Sequence, residues 1–149
     1  MMPMRPTALR GSVMIEFTLT VTFLVLLLLG AWQFGYAFFV YAELDQAVRA
    51  GARYASLRTY DSGTATPSAA FLTAVQNEVV YGNSAGGGNP IVPSLTAANV
   101  TLSVTFTNAA PTAVAVAITN FPISALFTSV TLSNKPACQF PYQGVFGPP

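Results

Sequence analysis

Histidine is absent from this chain, and cysteine occurs once, at Cys138. A transition-metal site built on imidazole and thiolate ligands is therefore excluded, and no intrachain disulfide can form. Stability has to come from packing or assembly. Cys138 reads either as a plain reduced or buried thiol or as a crosslink between exported subunits. Charge is equally scarce: five acidic and six basic residues make 7% of the chain, against roughly 25% in an average soluble domain. The bases are scattered from Arg5 to Lys135 and the net charge is +1, so no basic patch calls for nucleic acid. Of the acids Glu16, Glu43, Asp45, Asp61 and Glu78, only Glu43 and Asp45 are close in sequence. On a helix those two point to different faces and cannot work as a general acid–base pair. Serine and threonine are plentiful, but no base stands in a context that would activate them. The run Gly86, Gly87, Gly88 has no lysine after it and no strand-to-helix setting, which excludes a phosphate loop. We expect no enzyme, no metal and no cofactor.

What the chain has in abundance is apolar surface. Hydrophobic residues make up 52% of it, which argues against a free cytosolic protein. Residues 17–42 carry no charge; as a helix they would be roughly 39 Å long at ~1.5 Å per residue, enough to cross a bilayer. Glu16 stands at the start of this run. An ionisable group there is costly and points to a function by default. The ten residues before Gly11 contain Arg5 and Arg10 and no acid. A secretory signal would need a shorter apolar core and a small-residue cleavage site at its end. The positive-inside rule instead puts this leader in the cytoplasm and the remainder outside. Arg49, Arg53 and Arg58 oppose that orientation only in part, being farther from the membrane and offset by Glu43 and Asp45. Trp32, Tyr36 and Tyr41 suit the outer membrane interface.

The spacing of Gly11, Glu16 and Phe17 resembles the processing site of type IV pilin-like proteins, in particular the TadE-like pseudopilins of tight-adherence (Tad) pili. In that family a prepilin peptidase cuts after a glycine, the fifth residue of the mature chain is Glu, and an aromatic follows. A cut after Gly11 makes Ser12 the new amino terminus, Glu16 the fifth residue and Phe17 the aromatic. The resemblance continues through Leu24, Gly30, Gln33, Phe34 and Gly35 to Arg49, Ala50, Gly51, Ala52, Arg53, Tyr54 and Ala55, about the first third of the chain. It implies that the Glu16 carboxylate pairs with the Ser12 amine of a neighbouring subunit inside a filament. The residues alone leave a plainer reading open, in which Glu16 sits at the headgroups of an ordinary signal anchor.

Beyond Tyr41 the periodicity stays helical. Tyr41, Leu44, Val48, Gly51, Ala52 and Ala55 share one face, while Asp45, Gln46, Arg49 and Arg53 share another, and the helix is expected to end near Arg58 or Thr59. Asp45 and Arg49 stand four apart, in the orientation that favours an ion pair. The small residues Gly51, Ala52 and Ala55 would either pack on the chain's own domain or let helices of neighbouring subunits approach. Residues 60–66 read as a loop. Residues 67–81 form a second helix, with Thr66 as N-cap, Pro67 at its first position and Gly82 ending it; Phe71, Leu72, Val75 and Val79 make its core stripe. Residues 83–93 are a flexible connector. Residues 99–107 alternate valine, leucine and phenylalanine with threonine and serine, the pattern of a strand covered on one side. A hairpin loop over 108–112 leads to a strand at 113–119, Phe121 and Pro122 break the pattern, and 129–133 offers a third short strand. The tail beyond Lys135, with four prolines and with Phe140, Tyr142 and Phe146, has no periodicity. It is either loosely ordered or an arm laid on its own domain or on the next subunit.

The fold class is thus α+β and pilin-like: a long amino-terminal transmembrane and amphipathic helix, then one helix packed on a short antiparallel sheet. The divisions are a leader at 1–11, the long helix at 12–58, an extracytoplasmic domain at 59–133 and a tail at 134–149. The resemblance implies a TadE-like pseudopilin, a structural or assembly component of a Tad-type pilus. Its partners would be a prepilin peptidase, other pilin or pseudopilin subunits as a homo- or hetero-oligomer, and membrane lipid. It would reside in the bacterial cytoplasmic membrane, and in a surface pilus if assembled. The same architecture could serve as the main filament subunit, or as an uncleaved membrane-anchored binding module with its threonine-rich sheet as contact surface.

Overall fold

The computed structural model of the chain describes residues 8–124 and 129–148, for residues 8–10 the backbone only. The basic leader expected at the amino terminus, with Arg5 and the Arg10 side chain, lies outside the described residues. Helix α1 runs Ala8–Leu57. The chain divides into two units, Met1–Tyr36 and Ala37–Pro149, and each is described by itself.

In the amino-terminal unit the apolar residues of α1 are exposed all round: Val13, Phe17, Leu19, Phe23, Leu28, Trp32 and Phe34 each keep more than half of their surface free. Soluble helices show an apolar stripe, whereas one apolar on every side belongs in a core or a membrane. This is the one helix among the described residues long and apolar enough to cross a membrane. Its hydroxyls are satisfied from within. Thr18, Thr20 and Thr22 donate to the carbonyls of Met14, Glu16 and Thr18 at 2.7–2.8 Å, so no threonine in this stretch needs water.

The carboxy-terminal unit is built on the last turns of α1. Val40, Leu44, Ala47, Val48, Ala52 and Ala55 are buried there at helical spacing. Asp45 and Arg49 form the expected ion pair on the outer side, 2.9 Å apart. Helix α2, Ala69–Tyr81, turns Phe71, Ala74, Val75, Val79 and Val80 inward. It begins two residues later than expected: Ser68, not Thr66, is the N-cap. The Ser68 hydroxyl accepts from the Phe71 N–H at 3.1 Å and donates to Asp61 at 2.7 Å, giving it an anchor that Thr66 lacks. Gly82 closes the helix in the left-handed region at φ 68°, its N–H donating to the Glu78 carbonyl.

Strands β1, Val100–Thr107, β2, Ala110–Ile118, and β5, Ala137–Pro141, make an antiparallel sheet in the order β1-β2-β5. Val100, Val104, Val114, Val116 and Ile118 are buried on it, while Thr101, Ser103, Thr105 and Thr107 are exposed. The hairpin loop is tighter than the expected 108–112. Asn108 and Ala109 alone turn the chain, at φ 52° and 58°, the conformation that matches strand twist in a two-residue hairpin. Pro111 is accommodated because the register shifts between Thr105 and Phe106. Strands β3, Phe121–Ser124, and β4, Ser129–Leu132, pair in a separate ribbon. Phe121 and Pro122 were expected to break the pattern, yet they open β3. A two-stranded ribbon leaves each strand one unpaired edge, where a proline can sit without costing a ladder bond. The tail expected to lack regular structure supplies β5, which pairs with β2 from Ala113↔Pro141 to Ala117↔Ala137.

Helix α1 meets α2 at Gly51, where a Cβ would overlap the Val79 side chain. Gly51→Val is expected to destabilise this unit by about 1–3 kcal/mol through overpacking, while Ala50→Val, on the exposed side, changes it by no more than about 0.5 kcal/mol. Thermal unfolding of the detergent-solubilised chain, followed by near-ultraviolet circular dichroism, checks both.

Candidate functional site

Gly11, Ser12, Glu16 and Phe17 all lie on α1 and are exposed. Ser12 and Glu16 stand four residues apart, one turn along the same face. Glu16 has no ion-pair or side-chain hydrogen-bond partner among the described residues. Only its backbone is engaged, the carbonyl accepting from Thr20 at 2.8 Å. Gly11 has no heavy atom of a neighbour within 4 Å of where its Cβ would be, so packing does not explain a glycine there. In a helix it costs about 1 kcal/mol relative to alanine, a local weakening that α1 also carries at Gly30 and Gly35. The segment thus offers an accessible peptide bond at a weak point of the helix and, one turn on, a carboxylate without a counter-charge.

The second group singled out in the sequence sits elsewhere. Gly51, Ala52 and Ala55 are buried, the two alanines completely, and Gly51 faces Val79 of the same chain. They pack on their own unit. The side of α1 left open there carries Ala42, Gln46, Arg49, Ala50, Arg53 and Leu57.

A third site was invisible to periodicity. Tyr60, fully buried just after α1, has four aromatic neighbours: Phe71, Phe106, Tyr142 and Phe146, with ring centroids 5.1–6.4 Å away. Arg58 lies over the Tyr54 and Phe71 rings, 5.7 and 5.9 Å from their centroids. The tail is bonded to this point by its backbone. Gln143 N–H donates to the Ser56 carbonyl at 2.9 Å, Tyr60 N–H to the Val145 carbonyl at 2.9 Å, and Gly147 N–H to the Tyr60 carbonyl at 3.0 Å. The Tyr142 hydroxyl accepts from Tyr60 N–H at 2.9 Å, and the Arg58 and Val145 carbonyls, 2.9 and 2.8 Å away, share its proton. Gly144 is required here, since a Cβ would collide with the Arg58 carbonyl and the Tyr142 ring. The only signal in the sequence was the concentration of aromatics in a segment too polar in pattern for a core strand.

An apolar anchor helix long enough to cross a membrane, followed by a small α+β unit, defines the class. The family model described as TadE-like protein matches residues 11–53, from the candidate cleavage glycine to Arg53. The chain is TadE-like over that segment, the family its amino-terminal motif resembles, and this associates it with Tad pilus components and fits membrane anchoring. No match was found among curated proteins or among solved structures.

Burial raises the Tyr60 and Tyr142 hydroxyl pKa values above their ordinary value, so the folded unit favours the neutral phenols. The stability this gives is fully present below about pH 10, the unfolded tyrosine value, and falls as pH rises beyond it. Tyr142→Phe is expected to cost about 1–3 kcal/mol, because the Arg58 carbonyl loses its donor, and to flatten part of the alkaline decline. Urea unfolding at neutral pH and above pH 10 reads both effects.

Proposed function

We propose that this chain is a TadE-like pseudopilin, a structural or assembly subunit of a Tad-type pilus and not an enzyme, processed by a prepilin peptidase after Gly11. The family match over residues 11–53 carries this reading. The exposed Gly11 and the uncompensated Glu16 at the head of an apolar helix support it.

Before processing, the apolar part of α1 holds the chain in the cytoplasmic membrane, with the basic leader inside and the α+β unit outside. The peptidase takes the Gly11–Ser12 bond, whose neighbourhood the glycine keeps easy to unwind. Cleavage creates an ammonium on Ser12 and strips the first turns of α1. When the helix leaves lipid for a bundle of like helices, a lone Glu16 carboxylate is strongly disfavoured, and the Ser12 ammonium of a neighbouring subunit satisfies it. One charge pair then sets the register between subunits in an interface otherwise made of interchangeable apolar contacts. The threonines at 18, 20 and 22 do not compete for Glu16, since their hydroxyls are bonded along their own helix.

Glu16→Ala is expected to leave membrane insertion intact and to reduce recovery of the protein in sheared surface fibres to background; normal recovery overturns the pairing. Amino-terminal sequencing and intact mass test processing separately. A chain beginning at Ser12 is expected from cells with an active peptidase, and the unprocessed chain from Gly11→Ile.

A further inference from the structure

We propose that the outer edge of β5, with the cleft beside it, is a docking site for a short extended peptide of another protein that carries a carboxylate. The register fixes which backbone groups of β5 are free. Tyr142 N–H bonds the Thr112 carbonyl and Ile118 N–H the Pro136 carbonyl, at 2.9 and 3.1 Å, flanking the pairs Ala113↔Pro141 and Ala117↔Ala137. In an antiparallel ladder residues alternate in direction, so 136, 138, 140 and 142 face β2, and Ala137, Gln139 and Pro141 face away. All three are exposed. Among the described residues Gln139 and Ala137 each offer an unpaired N–H and carbonyl, as a sheet edge does to an added strand.

The edge is short at both ends. Pro141 has no N–H to offer, and two residues on Gln143 is already bonded to Ser56 of α1. Open-ended sheet growth is thereby blocked, while a segment of a few residues fits. Beside Pro141 lies a cleft of about 270 Å³ lined by Arg53, Ser56, Leu57, Phe140, Pro141 and Gln143. Leu57 and Phe140 give it an apolar floor. Arg53 is the cation at its rim, exposed and without a carboxylate partner, whereas Arg49 pairs with Asp45. Charge complementarity selects an acidic group at one end of the added strand. The acidic side chains of a second copy are poorly placed to supply it. Asp45 is paired, Asp61 is bonded to Ser68, and Glu16, Glu43 and Glu78 lie on helices, so no acidic side chain among the described residues sits on a strand.

The test titrates the full isotope-labelled chain in detergent micelles with an end-blocked threonine–valine hexapeptide carrying a terminal glutamate, against its glutamine counterpart. Expected are amide shifts at Ala137 and Gln139, with binding about fivefold weaker for the glutamine peptide and for Arg53→Gln. Gln139→Pro should abolish the shift at Ala137, and Arg53→Gln, an exposed change, keeps the test valid if that variant misfolds. Equal binding of both peptides, or no shift at these amides, overturns the proposal. Concentration-dependent shifts there without peptide overturn it as well, by assigning the edge to a second copy.

Discussion

Gly51 on α1 and Val79 on α2 meet with no room for a Cβ between them, and the carboxy-terminal unit depends on that approach. Without α1, one helix and two small sheets would have to build a core alone. Here the last turns of α1 contribute Val40, Leu44, Ala47, Val48, Ala52 and Ala55 to the same core as Phe71, Val75 and Val79 of α2 and the valines of the sheet. Gly51 lets α2 lie close, the small residues at 47, 52 and 55 are buried in the same core, and larger side chains of α2 and the sheet fill the space. The turns of α1 from Ala37 on are therefore a structural part of this unit.

The same helix is governed by two different solvents. Up to Tyr36 its surface is apolar all round, its threonines are bonded to its own carbonyls, and from Gly11 on Glu16 is the one charged residue. From Ala37 on it is amphipathic, with an ion pair on the outer side and a buried stripe on the inner. A residue that breaks a strong local pattern without a local reason marks a function more clearly than any motif in a permissive context. Glu16 is such a residue in the span.

The carboxy-terminal segment holds the unit together in a third way. It adds β5 to the sheet and then runs to Tyr60, where backbone bonds and the Tyr142 hydroxyl fasten it to the end of α1. The end of α1 and residues 142–147 are thus fixed to one another. β5 also leaves an exposed, short sheet edge bounded by Pro141, the feature that makes a peptide-docking role physically accessible.

Much of this was legible because it follows from short-range periodicity. The long apolar run with Glu16 at its head, the helical face from Leu44 to Ala55, the core stripe of Phe71, Val75 and Val79 and the alternation of Val100, Leu102, Val104 and Phe106 are set by side-chain spacing alone. The motif at Gly11, Glu16 and Phe17 was legible for the same reason, because its chemistry lies within two turns of helix. What only the tertiary structure decided depends on distant backbone. Asp61 selects Ser68 over Thr66 as the helix cap, the partner strand β4 turns the Phe121–Pro122 break into β3, and pairing with β2 makes a strand of Ala137–Pro141. Whether Gly51, Ala52 and Ala55 face their own unit was likewise decided only by their burial there and by Val79 against Gly51. A strand held by main-chain hydrogen bonds to a partner needs no side-chain pattern of its own, and a small-residue face does not carry the identity of what packs on it.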